Sequence, residues 1–176
     1  SIWTLTKTSK GDIIGQYFPK DYWIVGFEER ILNNNIEGEK WACWDTKALK
    51  SHKMFSNPLA HVEESQTWNS INKKHDFLCL NIAHRSYFDS PDGLIASKKT
   101  RKKVAIAGYY SAYYALRNVE LSEILNHKYY KSEAFQYFKS WLFYSDNRLK
   151  LSFSKLCLCF LIFLFHIPKR LINKFV

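Results

Sequence analysis

Two groups of residues in the middle of the chain carry side chains suited to acid–base or metal chemistry. Glu63 and Glu64 are adjacent carboxylates, and His84 directly follows the apolar run of residues 77–83. Adjacent carboxylates at a helix start can act as a general base and its electrostatic partner, or assist a metal. A histidine at the carboxyl end of a buried strand lies where α/β sheets build sites, and can ligate a metal or contact a phosphate. Both patterns also occur without function, in ordinary first helical turns and surface loops.

A third group lies in residues 109–126, where helical periodicity is combined with polar aromatic side chains. Six side chains recur three and four positions apart and would share one face of a single helix: Tyr110, Tyr113, Tyr114, Arg117, Leu121 and Leu125. Asn118 follows the arginine. A core helix usually carries leucine or valine here, so the hydroxyls and the guanidinium predict a polar, partly buried contact surface. The alternative is ordinary packing, with buried rings and hydroxyls turned to solvent.

Alternating strands and helices are predicted to position these residues. Apolar runs, turn residues and helical spacing predict strands over residues 2–6, 13–18, 22–27, 41–44 and 77–83, and helices over 46–51 and 61–74. Asp45 is the expected cap of the first helix. The acidic pair would lie near the start of the second helix, where the helix dipole favours negative charge. This order of elements predicts the α/β class.

Helices and basic residues dominate the second half of the chain. Residues 86–103 are predicted to be a loop with five cations in residues 98–103, and residues 133–144 a helix with an aromatic face. Residues 156–167 are apolar except for His166, and are shorter than the roughly twenty residues that span a bilayer. Because cations flank this run, it predicts a helix lying in a membrane surface, with a buried core helix as the alternative.

Composition limits the class of protein. The 176 residues are 47% hydrophobic and 17% aromatic, which excludes a disordered chain. The net charge of +10 favours an anionic partner such as lipid headgroups, a phosphorylated substrate or nucleic acid. No nucleic-acid motif is present, so we expect no nucleic-acid partner. The four cysteines have no metal-ligand spacing, which argues against structural zinc and fits a reducing compartment.

Residues 113–118, Tyr-Tyr-Ala-Leu-Arg-Asn, resemble the YYxxRN signature near the C-terminus of many bacterial family 2 glycosyltransferases of the rhamnosyl- and galactofuranosyltransferase-like kind. Those enzymes place, in order, an acidic pair opening a helix, a strand ending in a histidine, and this signature. Glu63-Glu64, then His84, then the tyrosines have that order. The segment of residues 41–50, with its two tryptophans, resembles the acceptor-side strand and short helix before the pair.

The resemblance implies a GT-A fold that transfers a sugar from a nucleotide-sugar donor to a lipid-linked or polysaccharide acceptor, with Mg²⁺ or Mn²⁺. It implies Glu64 as the catalytic base, with Glu63 as the next candidate, and His84 as a metal ligand. Glu64 stands where the family usually has aspartate. The residues expected to bind the acceptor or to support its site are Trp44, Tyr113, Tyr114, Arg117 and Asn118.

Nothing in residues 1–40 resembles the nucleotide-binding half of that family with its D-x-D motif. We therefore expect residues 1–126 to be the acceptor-side portion, an incomplete GT-A-like mixed sheet with flanking helices. Residues 127–176 would be a helical membrane-associating region. The expected location is the cytoplasmic face of the cell membrane, as a peripheral protein whose partners include anionic lipid. A non-enzymatic basic protein that binds membrane surfaces is the alternative function.

Overall fold

The computed structural model describes residues 1–34, 36, 38–52, 54–55, 57, 59–60, 62, 64–88 and 100–166. The chain is an α/β protein with a four-stranded mixed sheet and flanking helices, which confirms the predicted class. It forms two compact units: a first unit of residues 1–54 and 67–98, and a second unit of residues 55–66 and 99–176. The predicted domain division between residues 126 and 127 stays a prediction.

The sheet belongs to the first unit. Its strands are β1 (Ile2–Thr8), β2 (Tyr22–Val25), β3 (Lys40–Cys43) and β4 (Phe77–Tyr87). They lie in the order β2-β4-β1-β3, in which β1 is parallel to β4 and the other two pairs are antiparallel. Along β2, Trp23 and Val25 are buried while Tyr22 and Ile24 are exposed, the alternation expected of a strand with one covered face.

Two predictions about strands were wrong. Residues 13–18 form no strand, and only Ile13 makes an isolated bridge, to Lys7. The run is interrupted at Gly15, whose φ of +87° does not fit an extended strand. His84 was predicted to follow the last strand, but β4 continues past it to Tyr87 because Thr6, Lys7 and Thr8 pair with residues 85–87.

Two α-helices and a π-helical turn of residues Glu28–Asn33 accompany the sheet. Helix α1 (Thr46–Lys50) begins as predicted, because the Asp45 side chain accepts a hydrogen bond of 2.8 Å from the Ala48 N–H. Helix α2 is shorter than predicted, Ser65–Asn72.

The hydrophobic core of this unit consists mainly of side chains from the sheet, packed together with Phe18 and Ile71. The sheet contributes Trp3, Leu5, Trp23, Val25, Phe77 and Cys79. Burial raises the pKa of the Cys79 thiol to about 11, so this cysteine is an inert core residue.

A buried arginine joins the π-helical turn, α2 and the sheet. The guanidinium carbon of Arg30 lies 5.3 Å from the ring centroid of Trp3 and 5.1 Å from that of Phe77. Its Nε donates to Asn72 Oδ1 at 2.7 Å and its Nη2 to Asn69 Oδ1 at 2.8 Å. These amides are three residues apart on α2 and so share one face of that helix. A buried guanidinium needs such acceptors around it.

The second unit is helical. It contains α3 (Arg101–Leu116), α4 (Leu121–Asn126), α5 (Lys128–Trp141) and α6 (Phe153–His166), with α3 packed on α5 and α5 on α6. In the part of the chain that the structure describes, no helix is long and apolar enough to cross a membrane.

Two predictions about these helices were wrong. The single helix expected over residues 109–126 is interrupted after Leu116, because Glu120 and Glu123 form a capping box that starts α4. Residues 101–103 were expected to lie in a loop but belong to α3, because the Thr100 side chain accepts from the Lys103 N–H and caps this helix. Arg101, Lys102 and Lys103 therefore form the first turn of a helix, and Lys98 and Lys99 lie outside the described residues.

Replacing Arg30 with methionine should destabilise the protein by about 2–4 kcal/mol, since hydrogen bonds to charged groups contribute about 1.5–3 kcal/mol each and two buried amides would lose their donor. Urea unfolding at neutral pH measures this loss. Exposed Arg101, changed to methionine, is the control and should shift the unfolding free energy by about 0.5 kcal/mol or less. Equal effects of both changes would show that the Arg30 contacts do not stabilise the fold.

Candidate functional site

His84 lies on an exposed part of β4 in the first unit. Its imidazole stacks on the indole of Trp41, with ring centroids 5.2 Å apart and an interplanar angle of 6°. The next residue, Arg85, makes an exposed ion pair of 3.4 Å between Nη1 and Glu39 Oε1. Pairs of this kind contribute little stability. The stack orients the imidazole ring while leaving the side chain accessible to a ligand.

Trp44, also in the first unit, is packed among aromatic rings. Its indole stacks on Trp68 at 4.3 Å and meets Trp3 and Phe77 edge-on at 5.6 and 5.5 Å. Offset-stacked and edge-on pairs of this kind stabilise a core. Of the two roles predicted for Trp44, acceptor binding or structural support, this packing favours structural support.

Three of the predicted residues lie together at the end of α3, in the second unit. The ring of Tyr114 stacks on Phe55 at 3.8 Å, and the guanidinium carbon of Arg117 lies 5.0 Å from the Tyr114 centroid. Tyr113 meets Tyr114 edge-on at 5.3 Å. We call Phe55, Tyr114 and Arg117 the aromatic–arginine platform. Desolvation by burial raises the pKa of Tyr114, so its phenol stays protonated.

The end of α3 is closed by a cation from α6. Lys155 Nζ donates to the backbone carbonyls of Leu116, at 3.0 Å, and of Arg117, at 2.8 Å. A lysine at a helix C-terminus satisfies free carbonyls and complements the helix dipole. With its backbone held in this way, Arg117 presents an exposed side chain, followed by exposed Asn118. The position of both residues suits a binding role.

The other tyrosines of α3 point inward. Tyr110 OH donates to Asp146 Oδ2 at 2.8 Å, and Tyr109 OH donates to the Leu149 carbonyl at 2.6 Å. Tyr137 OH of α5 donates to Tyr109 OH at 3.3 Å. Burial raises the pKa of Tyr109 and Tyr110, because a phenolate there would be desolvated. Tyr110, one of the six residues of the predicted face, is therefore buried and does not form a partly buried contact surface. Together with Tyr109 it holds the turn that follows α5.

Glu64 is exposed immediately before α2. Two residues later, buried Gln66 donates from Nε2 to Ser111 Oγ at 3.3 Å and to Tyr129 OH at 3.2 Å. These side-chain bonds hold Gln66, near the start of α2, against α3 and α5. Glu63, the other candidate base, lies outside the described residues. An exposed carboxylate such as that of Glu64 is able to accept a proton from a bound hydroxyl group.

No group of three or more His, Cys, Asp or Glu side chains that could hold a metal ion occurs among the described residues. His84 can offer a single imidazole nitrogen. The expected divalent metal therefore stays a prediction.

Sequence reasoning missed two partners of these residues. Phe55 is an isolated aromatic residue in a polar stretch, and nothing in its neighbourhood indicates stacking on Tyr114. Asp146 has a signal, since Ser-Asp-Asn in residues 145–147 is typical of a turn, and its carboxylate also accepts from the Arg148 N–H at 2.9 Å. Neither pattern reveals which tyrosine is the partner.

Comparisons of the chain with protein-family models, with curated proteins and with solved structures found no match.

The bond between Tyr110 and Asp146 makes stability dependent on pH. The Arg148 N–H and then the Tyr110 hydroxyl hold the pKa of Asp146 below its usual value. Because the folded pKa is lower than the unfolded one, the stabilisation is present above about pH 4 and is lost as the pH falls through the lowered pKa. Tyr110→Phe should therefore lower the urea midpoint at pH 7 and have a smaller effect in acid.

Urea titrations of the wild type and Tyr110→Phe at pH 7 and in acid provide the measurement, with exposed Tyr17→Phe as the control. The same loss at both pH values would contradict the role of the ionised carboxylate.

Proposed function

We propose that the chain is the acceptor-side part of a membrane-associated family 2 glycosyltransferase, which transfers a sugar from a nucleotide-sugar to a lipid-linked or polysaccharide acceptor. The observation that carries the proposal is the order of the elements. Strand β3 and α1 are followed by Glu64 before α2, then by β4 with His84, and then by α3 with its tyrosines. This is the order that the resemblance to family 2 glycosyltransferases implies for the acceptor-side half.

Glu64 would act as the base. Its carboxylate takes the proton of the acceptor hydroxyl while that oxygen forms a bond to the anomeric carbon of the donor. The bond between the anomeric carbon and the diphosphate breaks, and its electron pair leaves with the nucleoside diphosphate. The exposure of Glu64 and the anchoring of Gln66 support this role.

The aromatic–arginine platform would support acceptor binding. A flat ring packs against the apolar face of a saccharide, and a guanidinium offers several donors to its hydroxyls or to a phosphate. Tyr114 and Arg117 provide these two surfaces side by side. Asn118, exposed next to them, adds an amide, while Tyr113 supports the Tyr114 ring from its edge.

An exposed apolar face of the sheet supports the proposal that the chain is one part of a larger α/β domain. Ile24, Leu78 and Ile2 are neighbours in register across β2, β4 and β1. Ile24 is 58% exposed and Ile2 44%, and next to them Tyr22 is 63% exposed. Large apolar side chains exposed side by side commonly mark a surface that another protein part covers. A nucleotide-binding half would supply such a cover.

The complete enzyme is proposed to use Mg²⁺ or Mn²⁺, which would neutralise the leaving diphosphate. His84 would supply one nitrogen ligand, held by its stack on Trp41. Membrane attachment at the cytoplasmic face belongs to the same proposal, because a lipid-linked acceptor lies in the bilayer.

Glu64→Gln should lower sugar transfer by the full-length gene product about 10²- to 10⁴-fold, because the amide cannot accept the proton. Release of nucleoside diphosphate from a panel of nucleotide-sugars, in the presence of membranes, measures turnover. Glu28, exposed on the π-helical turn, is the matched control, and Glu28→Gln should leave the rate unchanged. Full activity of Glu64→Gln would rule out this base.

One observation favours the second candidate function, a non-enzymatic protein of the membrane surface. Helix α6 buries Cys159 and Ile162 but exposes a row of large apolar side chains, with Phe153 82% and Phe165 85% exposed. Exposed patches of this kind indicate a membrane or partner surface. The net charge of +10 complements anionic lipid. Membrane binding by the wild type without sugar transfer from any donor would favour this function over the first.

Replacing Phe153 and Phe165 together with serine should weaken binding to phosphatidylcholine vesicles at least tenfold, since burying one phenylalanine contributes about 1.5–3 kcal/mol. Vesicle flotation measures the partition. The control replaces Tyr17 and Phe88, which are exposed in the first unit, with serine. Equal losses in the two double variants, or none in either, would contradict a membrane role for α6.

A further inference from the structure

We propose that the groove between α3 and α5 docks the headgroup of an anionic phospholipid. The inference rests on the membrane association proposed above and assigns its lipid selectivity to particular residues. The groove has a volume of about 330 Å³. Helical spacing places its lining on one face of each helix: Arg101, Val104 and Ala105 of α3, and Gln136, Lys139, Ser140 and Phe143 of α5 and the residues after it.

Gly108 of α3 faces Gln136 and Ser140, two of the residues that line the groove. A Cβ atom at position 108 would collide with Gln136 Nε2 and Ser140 Oγ, so a larger residue there would displace these side chains. Gln136 Nε2 donates to Ser140 Oγ at 3.0 Å, and these two side chains form a polar part of the groove lining. From this point the groove extends along the helices to Arg101, at the start of α3.

The charges that line the groove are positive. Arg101 and Lys139 are both exposed, and neither makes an ion pair with a carboxylate of the described residues. No acidic side chain is among the lining residues. Lys102 and Lys103 follow in the first turn of α3, where the helix dipole is itself positive and disfavours cations. An anion bound at this end of the groove would relieve that repulsion.

Apolar side chains beside these cations distinguish a lipid from a free anion. Phe143 is 63% exposed and Val104 46%, and both line the groove. Leu142 and Trp141, 52% and 38% exposed, continue this surface along the chain. The Trp141 ring lies 5.4 Å from that of Phe138, which in turn lies 5.2 Å from Phe160 of α6. Through Phe138, the end of α5 packs on α6, whose exposed apolar side chains a bilayer would also cover.

The test measures flotation of the whole chain with phosphatidylcholine vesicles, with and without phosphatidylserine. Each cation near an anionic surface contributes about fivefold in affinity. The Arg101→Gln/Lys139→Gln variant should therefore bind vesicles that contain phosphatidylserine roughly 25-fold more weakly than the wild type does. Its binding to neutral vesicles should be unchanged. The matched control, Lys10→Gln/Lys20→Gln, removes the same charge from exposed sites in the first unit and should lose much less.

Equal losses in the two double variants would overturn the groove as the site, because diffuse charge would then explain the selectivity. A dimer in lipid-free solution that Arg101→Gln/Lys139→Gln dissociates would also overturn it, by assigning the groove to a second copy of the chain. Wild-type binding that does not respond to phosphatidylserine would overturn the groove proposal alone. Absence of binding to any vesicle would overturn the proposed membrane association as well.

Discussion

Buried tyrosine hydroxyls determine how the second unit is built. A buried phenol needs a hydrogen-bond partner, and Tyr109, Tyr110 and Tyr137 find theirs in one another and in the Asp146–Leu149 turn. This turn reverses the chain after α5, so that α6 packs back on α5 and leaves Phe153 and Phe165 exposed. The same arrangement brings Lys155 of α6 to the end of α3. The aromatic–arginine platform and the apolar surface thus depend on one set of hydroxyl contacts.

The parts of the fold that could be predicted from the sequence depend on local patterns. A few neighbouring residues are enough to predict a strand in residues 22–27 and a helix cap at Asp45. The structure contains β2 and α1 at these places. Predictions from periodicity were wrong where a local feature ends an element. The capping box at Glu120 divides the predicted helix of residues 109–126. Gly15, with its positive φ, interrupts the predicted strand of residues 13–18.

The candidate residues were predictable to the extent that they are close in sequence. Tyr114 and Arg117 are three residues apart at the end of one helix, so their contact follows from helical spacing. The stacking of Phe55 on Tyr114 joins residues far apart in sequence and has no local signal. The burial of Arg30 against two aromatic rings has no local signal either, because a charged residue in a polar stretch is ordinarily exposed to solvent.

The central claim, that this chain takes part in transferring a sugar to an acceptor at a membrane, is tested most directly by the mass of the product. The full-length gene product would be incubated with native membranes, a divalent cation and a panel of nucleotide-sugars, and the extracted lipids and polysaccharides analysed by mass spectrometry. The account predicts that one donor adds the mass of a single sugar to an acceptor. Membrane binding without such an addition from any donor would contradict it and favour the non-enzymatic alternative.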